Sequence, residues 1–362
     1  MDKKENNGIV IIFAFFICIF WYLIIDDALK KMPTGKHDIL VYYDQINQKI
    51  NKGRNWQQYV FDNDFQLGDS YEANGQTYQK YGTYPKLDGS TIAFSMFQEF
   101  AWQHLGISEK QSKRFVFLNM THTAYMLFVD RKGYQGSHQV HDNYEYTLYD
   151  ENKSADLIVV THPSDQELAY AVKHEVELII EPVCFDAFVF ITHVNNPVDS
   201  LTIEQVQKIY TGEITNWKEV GGNDKKIVAY QRERHSGSQT GMEQMVMKGI
   251  EMINPKSAKI VEGMGQLIDV VAEYENKSYS LGYTYLYYIQ NLYKNPTIKV
   301  LSIEGVEPSD ENIRSYSYPF AMNYYAIIHA EDKEEIGGKF LEWMLSDIGQ
   351  RCIEQAGYIP LK

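Results

Sequence analysis

The chain has 362 residues, 44% of them apolar, which is enough for two medium domains or one large one with packed cores. Its formal net charge of -14 excludes nucleic acid and acidic lipid surfaces as principal partners, because phosphate groups attract basic faces. A small anion remains admissible, since local donors and not net charge govern a small site.

In chain order, residues 8–25, "GIVIIFAFFICIFWYLII", carry no charge and would span about 27 Å as a helix at roughly 1.5 Å per residue. This predicts an uncleaved membrane anchor over residues 1–29. A cleaved signal peptide is the competing reading, but no small-residue cleavage site follows before Asp26 and Asp27. Lipidation at Cys18 is a third, set against Phe16 and Ile17, where small residues belong. Lys3 and Lys4 favour an inner N-terminus and Lys30 and Lys31 blunt the bias; the expectation is a single-pass protein with its C-terminal domain outside. Residues 30–83 are polar and tyrosine-rich, with turn signals at "NKGRN", "DND" and "EANGQ", and read as a polar stalk. Cys18, Cys184 and Cys352 lack the spacing of a disulfide framework or a zinc site. They are expected to be buried thiols.

Beyond residue 84, short apolar runs alternate with helical periodicity, which is α/β grammar. "ADLIVV" (155–160), "DAFVFIT" (186–192) and "KIVAYQ" (226–231) predict strands. Ser164 with Glu167, and Thr202 with Gln205, have capping-box spacing, and Gly212 closes the second helix. "QRERHSGSQTGM" (231–242) then lies between a strand and a helix, where open α/β sheets bind ligands. A helix start leaves backbone N–H groups unpaired and carries partial positive charge, and Arg232 supplies a planar fork that suits an oxyanion. Two further joins look alike: "LDGSTIAF" (87–94) with Ser90 and Thr91, and "NMTHTAYMLF" (119–128) with Thr121 and Thr123. Three hydroxyl-rich helix starts suggest one anionic ligand.

The run "NNPVDSLTIEQVQKIYTGEITNWKEVGG" (195–222), continuing into "IVAYQRERHSGSQTGM", resembles the phosphate-binding-protein-like family of ABC-transporter solute-binding proteins. "YPKLDGST", "ADLIVVTHPS", "SLGY" (280–283) and the terminal "GYIPL" also look like it, so that the resemblance covers roughly 84–362. It implies a two-lobed α/β type II periplasmic-binding-protein fold, here with the N-terminal transmembrane helix added: lobe 1 from 84–188 plus 284–362, lobe 2 from 189–283, and ligand in the cleft. It implies an anion loop at Arg232, Ser236, Gly237 and Ser238, first-loop donors at Ser90 and Thr91, and second-loop donors at Thr121 and Thr123. Two departures stand out: His235 replaces the usual glycine before Ser236, and Thr161 with His162 occupies the loop where phosphate-selective members place a proton-accepting carboxylate. Thr161 is counted with the ligand residues; Asp88 and Asp186 are candidates for the missing carboxylate.

The implied function is capture of a small oxyanion, phosphate by family default, for import through an ABC permease, with no cofactor, metal or catalysis. The alternative is a sensor or cell-surface interaction protein on the same fold. No G-x-S-x-G, H-E-x-x-H or Walker spacing occurs, "GGNDKK" reading as a turn. His122, His162 and His235 each adjoin a loop and are read as unrelated. Tyrosines in "YTYLYYI" (283–289) are read as packing, and the polar segment 131–154 as longer than such a fold needs.

Overall fold

The computed structural model describes residues 65–362 apart from 74–75, 106–111, 113–115, 117, 133–153, 235, 255–259, 262–263 and 273–278. The expected anchor and nearly all of the stalk lie outside these residues, as do Cys18 and His235. The end of the stalk segment is an antiparallel hairpin, β1 (Leu67–Ala73) with β2 (Gln76–Tyr81). No helix among the described residues is long and apolar enough to cross a membrane.

The centre of the fold is one long strand. β3 (Leu87–Gly89) runs parallel to β4 (Leu157–Thr161), and β5 (Leu178–His193) lies two strands further on. β5 continues well before the predicted 186–192, through Pro182, which the pairing accommodates at a register shift. Proline has no N–H to give to a ladder, so a bulge is where it fits. β6 (Ser200–Leu201), β7 (Val228–Ala229), β8 (Gln231–Arg232), β9 (Ile260–Val261), β10 (Ser280–Tyr285), β11 (Ile298–Val300), β12 (Ser302–Ile303), β13 (Ala321–His329) and β14 (Ile359–Pro360) complete the strands described. The single strand predicted at 226–231 is two short ones, β7 and β8, which pair with different partners.

β5 changes partners halfway. Its residues 178–187 pair with β13, and Phe185 and Cys184 also with β14. From Phe188 onward it pairs with β10, and at 191–193 also with β11. The eight strands form two half-sheets joined through β5: β3, β4, β13 and β14 on one side, β7, β10 and β11 on the other. The change of partner falls between Ala187 and Phe188. β11 and β12, beyond residue 284, pair with β5 at 191–193 and with β6.

Helices cover the sheet. In the first half, α1 (Phe94–Leu105) follows β3 after a 3-10 turn at Thr91–Ala93, α2 (Thr121–Val129) precedes β4, and α3 (Asp165–Lys173) follows it. Ile158 and Val160 of β4 pack with Tyr125, Phe128, Val129, Ala171 and Ile327, whereas the intervening residues face the other side, as strand alternation requires. Each such side chain, once fully buried, contributes about 1.5–3 kcal/mol. α4 (Ile203–Thr211) buries Val206, Ile209 and Tyr210, and α5 (Gly237–Gly241) runs directly into a π-helical segment, Met242–Met247. α6 (Met264–Ala272) packs on β10 and β5, α7 (Asp310–Arg314) on β13, and α8 (Ile336–Leu345) and α9 (Asp347–Gln355) pack on each other. Both predicted capping boxes form, at Ser164 and Thr202, and Gly212 closes α4 at φ 83°. Cys184 and Cys352 are buried free thiols, and burial raises the pKa of each.

Candidate functional site

Two loops meet at the carboxyl ends of β3 and β4. Gly89 lies so close to β4 that a Cβ there would sit 2.2 Å from the Val159 carbonyl oxygen, so only glycine brings the chain to this position. The Ser90 N–H then donates to the same carbonyl at 3.0 Å, turning the chain over the end of β4. Ser90 precedes the 3-10 turn in extended conformation but makes no side-chain capping bond. Its hydroxyl is buried and has no hydrogen-bond partner among the described residues. Thr91, the first residue of that turn, is half-buried.

Asp88 joins this loop to the next. It accepts from the N–H of Gly89 at 2.7 Å and from the N–H and side-chain amide of Asn119 at 2.8 and 2.6 Å. Burial pushes its carboxyl up to about 6, against the lowering effect of those donors. Next to this anchor Met120 holds φ at 64°, an uncommon value for a side-chain-bearing residue. Thr121 therefore opens α2 instead of standing ahead of it, and Thr123 lies inside the first turn. Thr121 is half-buried; Thr123 is exposed.

The short β8–β9 pair that follows β7 brings the arginine. Arg232 ends β8, is 8% exposed, and its N–H donates to the Tyr283 hydroxyl at 2.9 Å. That hydroxyl donates in turn to the Gln239 side-chain oxygen. Ser236 caps α5, accepting from the Gln239 N–H at 3.2 Å. Ser238 is fully buried, and its hydroxyl also has no partner among the described residues. Leaving such a hydroxyl unpaired costs about 1–3 kcal/mol.

The two halves touch at Gly237. A Cβ on this residue would lie 2.8 Å from the Thr121 hydroxyl oxygen. The Gly237 carbonyl accepts from the Tyr285 hydroxyl at 2.8 Å, and Tyr285 lines the same cavity as Thr161. Burial, with Asp186 nearby, raises the Tyr285 pKa, while Arg232 acts against it. The loops carrying Ser90, Thr121, Thr161, Arg232, Gly237 and Ser238 are thus linked to one another. Thr123 makes no hydrogen bond to this group.

Asp186, the other carboxylate candidate, and the two described loop histidines are engaged with other groups. Asp186 accepts from the Tyr324 hydroxyl at 2.6 Å and from the N–H groups of Ala187 at 2.7 Å and Tyr287 at 3.0 Å. Burial pushes it, too, up to about 6. His122 lies 3.0 Å from the Glu167 carboxylate, and Glu167 also completes the Ser164 capping box. His162 bonds the Pro163 carbonyl and packs against the Tyr325 ring. Among the described residues no group of His, Cys, Asp and Glu is arranged to hold a metal ion. Sequence reasoning missed Tyr283, Tyr285 and Asn119. Tyr283 and Tyr285 alternate along β10 onto one face, a signal open to reading but identical to that of packing residues.

The result is a two-halved α/β protein in which hydroxyl-bearing loops and a buried guanidinium come together, groups whose chemistry suits a tetrahedral oxyanion. The PBP superfamily domain matches residues 149–347, more than half of the chain, and the chain belongs to that superfamily. It is similar to the phosphate-binding protein PstS of Borreliella burgdorferi, at 28% identity over 183 residues, covering 49% of this chain and 64% of that one. For PstS of Bacillus subtilis the figures are 29% over 168 residues, 45% and 51%. The chain therefore spans about half to just under two thirds of the length of these curated relatives. Among solved structures, one from Clostridium perfringens with bound phosphate matches at a TM-score of 0.56 and 24% identity, over 76% of this chain and 98% of that one. An ABC-type phosphate transport receptor from Vibrio cholerae matches at 0.54 and 21%, over 75% and 98%. These structural likenesses establish the fold.

Proposed function

We propose that the chain is a solute-binding protein that captures a small oxyanion between its two half-sheets, for delivery to an ABC permease. The observation that carries this reading is the pair of buried serine hydroxyls, Ser90 and Ser238, one on each half and neither with a partner among the described residues, beside loops linked through Gly237 and Thr121. Phosphate is the ligand named for its relatives and the first to test. In this reading Ser90, Thr91, Thr121, Thr161, Ser236 and Ser238 offer hydroxyls, Gly237 brings backbone close to the ligand, and Arg232 supplies charge; Thr123 is the member with least support. The lobes divide at β5 and close over the ligand. The cleft binds without turning its ligand over. Residues 8–25 hold the domain at the outer face of the cell membrane.

Removing one side of a desolvated charge-assisted pair costs roughly 2–5 kcal/mol, or about 30-fold to several-thousand-fold in affinity. Calorimetry of the full chain with inorganic phosphate should show that loss for Arg232→Ala. Arg234→Ala, at an exposed position two residues on, should bind as the wild type does. Equal affinity in wild type and Arg232→Ala would remove the clamp.

A further inference from the structure

Beside the linked loops lies a cavity of about 260 Å³, lined from both halves. One water needs roughly 10–15 Å³ of such space, so a five-atom oxyanion would fill only about a quarter of it. Thr161 and Gly237 stand where the cavity meets the loops, and from there it extends past Gln244, Met245, Tyr316 and Met322. The described lining residues include no carboxylate, lysine or arginine. Phenol rings, thioethers and amides fit a neutral organic group: the rings give flat contact area and the methionines adapt to shape.

A second observation concerns protons. Inorganic phosphate near neutral pH carries one or two protons, and these need acceptors. The two buried carboxylates, Asp88 and Asp186, each already accept three protein hydrogen bonds, Asp88 from Gly89 and Asn119, Asp186 from Ala187, Tyr287 and Tyr324, which leaves about one acceptor site on each. A phosphate monoester loses its last proton with a pKa of about 6, so its dianion brings only acceptor oxygens to a cleft of donors.

Resting on the oxyanion reading above, we infer that the ligand is a phosphate monoester whose neutral substituent occupies this cavity. Its anionic head lies among the hydroxyls and Arg232, and its substituent lies between Met322 and the Gln244–Met245 turn.

Phenyl phosphate and inorganic phosphate, titrated separately into the full chain at pH 7.5, test this. Phenyl phosphate should bind at least tenfold more tightly. Ala321→Leu and Gln244→Trp both narrow the cavity away from the anion loops, and Gln244 is exposed, so the second substitution leaves packing alone. Each should weaken phenyl phosphate at least tenfold and leave inorganic phosphate within twofold. If inorganic phosphate binds and phenyl phosphate does not displace it, or if the narrowing variants weaken both ligands alike, the monoester inference fails and the oxyanion reading stands. If neither ligand binds the wild type, the oxyanion reading fails and the inference falls with it.

Discussion

Gly237→Ala probes the contact between the two halves most directly. The new Cβ would lie 2.8 Å from the Thr121 hydroxyl oxygen, with the next atom, the Thr121 Cβ, at 3.6 Å. Ordinary van der Waals contact begins near 3.5 Å, so either Thr121 turns away or the halves separate by several tenths of an ångström. The backbone itself is unstrained, because Gly237 does not have positive φ, and alanine is worth up to about 1 kcal/mol more than glycine in a helix. Stability should change little, because the helix gain is offset by the overlap with Thr121. Affinity for the oxyanion should fall, since the overlap lies between two of the proposed binding loops; crowding of this kind costs about 1–3 kcal/mol, or roughly 5- to 150-fold. A double-mutant cycle separates this from a general loss. With Thr121→Ala the 2.8 Å neighbour is gone and only the 3.6 Å contact remains, so Gly237→Ala should cost little more in that background. Calorimetry on the four proteins gives the coupling, and equal costs of Gly237→Ala in both backgrounds would refute contact across the cleft as the cause.

Two further outcomes concern the scaffold. The Asp186 carboxyl is raised to about 6 from 3.8, so the folded state holds its proton more tightly than the unfolded chain. Its stabilising contribution is full below about 4 and lost as pH rises through about 6, up to about 3 kcal/mol in all; Asp186→Asn should flatten that part of the wild-type stability curve in urea titrations between pH 4 and 8. Ser164→Ala removes the hydroxyl that caps α3 and bonds Glu167, and should cost about 1 kcal/mol in the same assay.

What the sequence made readable was local chemistry. Ser164 with Glu167 and Thr202 with Gln205 form their capping boxes because each pair needs only residues three apart. Ser236 likewise caps the helix where the hydroxyl-rich loop suggested. Long-range pairing was hidden. The stretch 178–185 contains Glu181 and Pro182 and lacks a strand signature, yet β13, some 140 residues away, pairs along all of it. "KIVAYQ" reads as one strand, but the Tyr230 N–H goes to Leu281 while Gln231 and Arg232 pair with β9, so the run divides between two sheets. Tyr285 was assigned to packing because a tyrosine that fills a core and one whose hydroxyl links two loops look the same in sequence. Only the position of its hydroxyl, donating to the Gly237 carbonyl, separates the two roles.

These bonds also indicate where movement between the halves is absorbed. Asp186 lies one residue before Ala187, the last β5 residue to pair with β13, and Phe188 is the first to pair with β10. Its carboxylate ties β5 through Ala187, β13 through Tyr324, and the chain leaving β10 through Tyr287. Three segments, one of them the β5 strand shared by both half-sheets, are thus held at one buried group, and bending there would expose a carboxylate and three donors together. Bonds to a charged group contribute about 1.5–3 kcal/mol each, so this point acts as a fixed axis. Near the candidate anion loops the Gly237–Thr121 contact joins the two halves without such a knot, whereas the Tyr285–Gly237 bond lies within the second half. If the lobes move as proposed above, opening should part Gly237 from Thr121 while the Asp186 bonds persist.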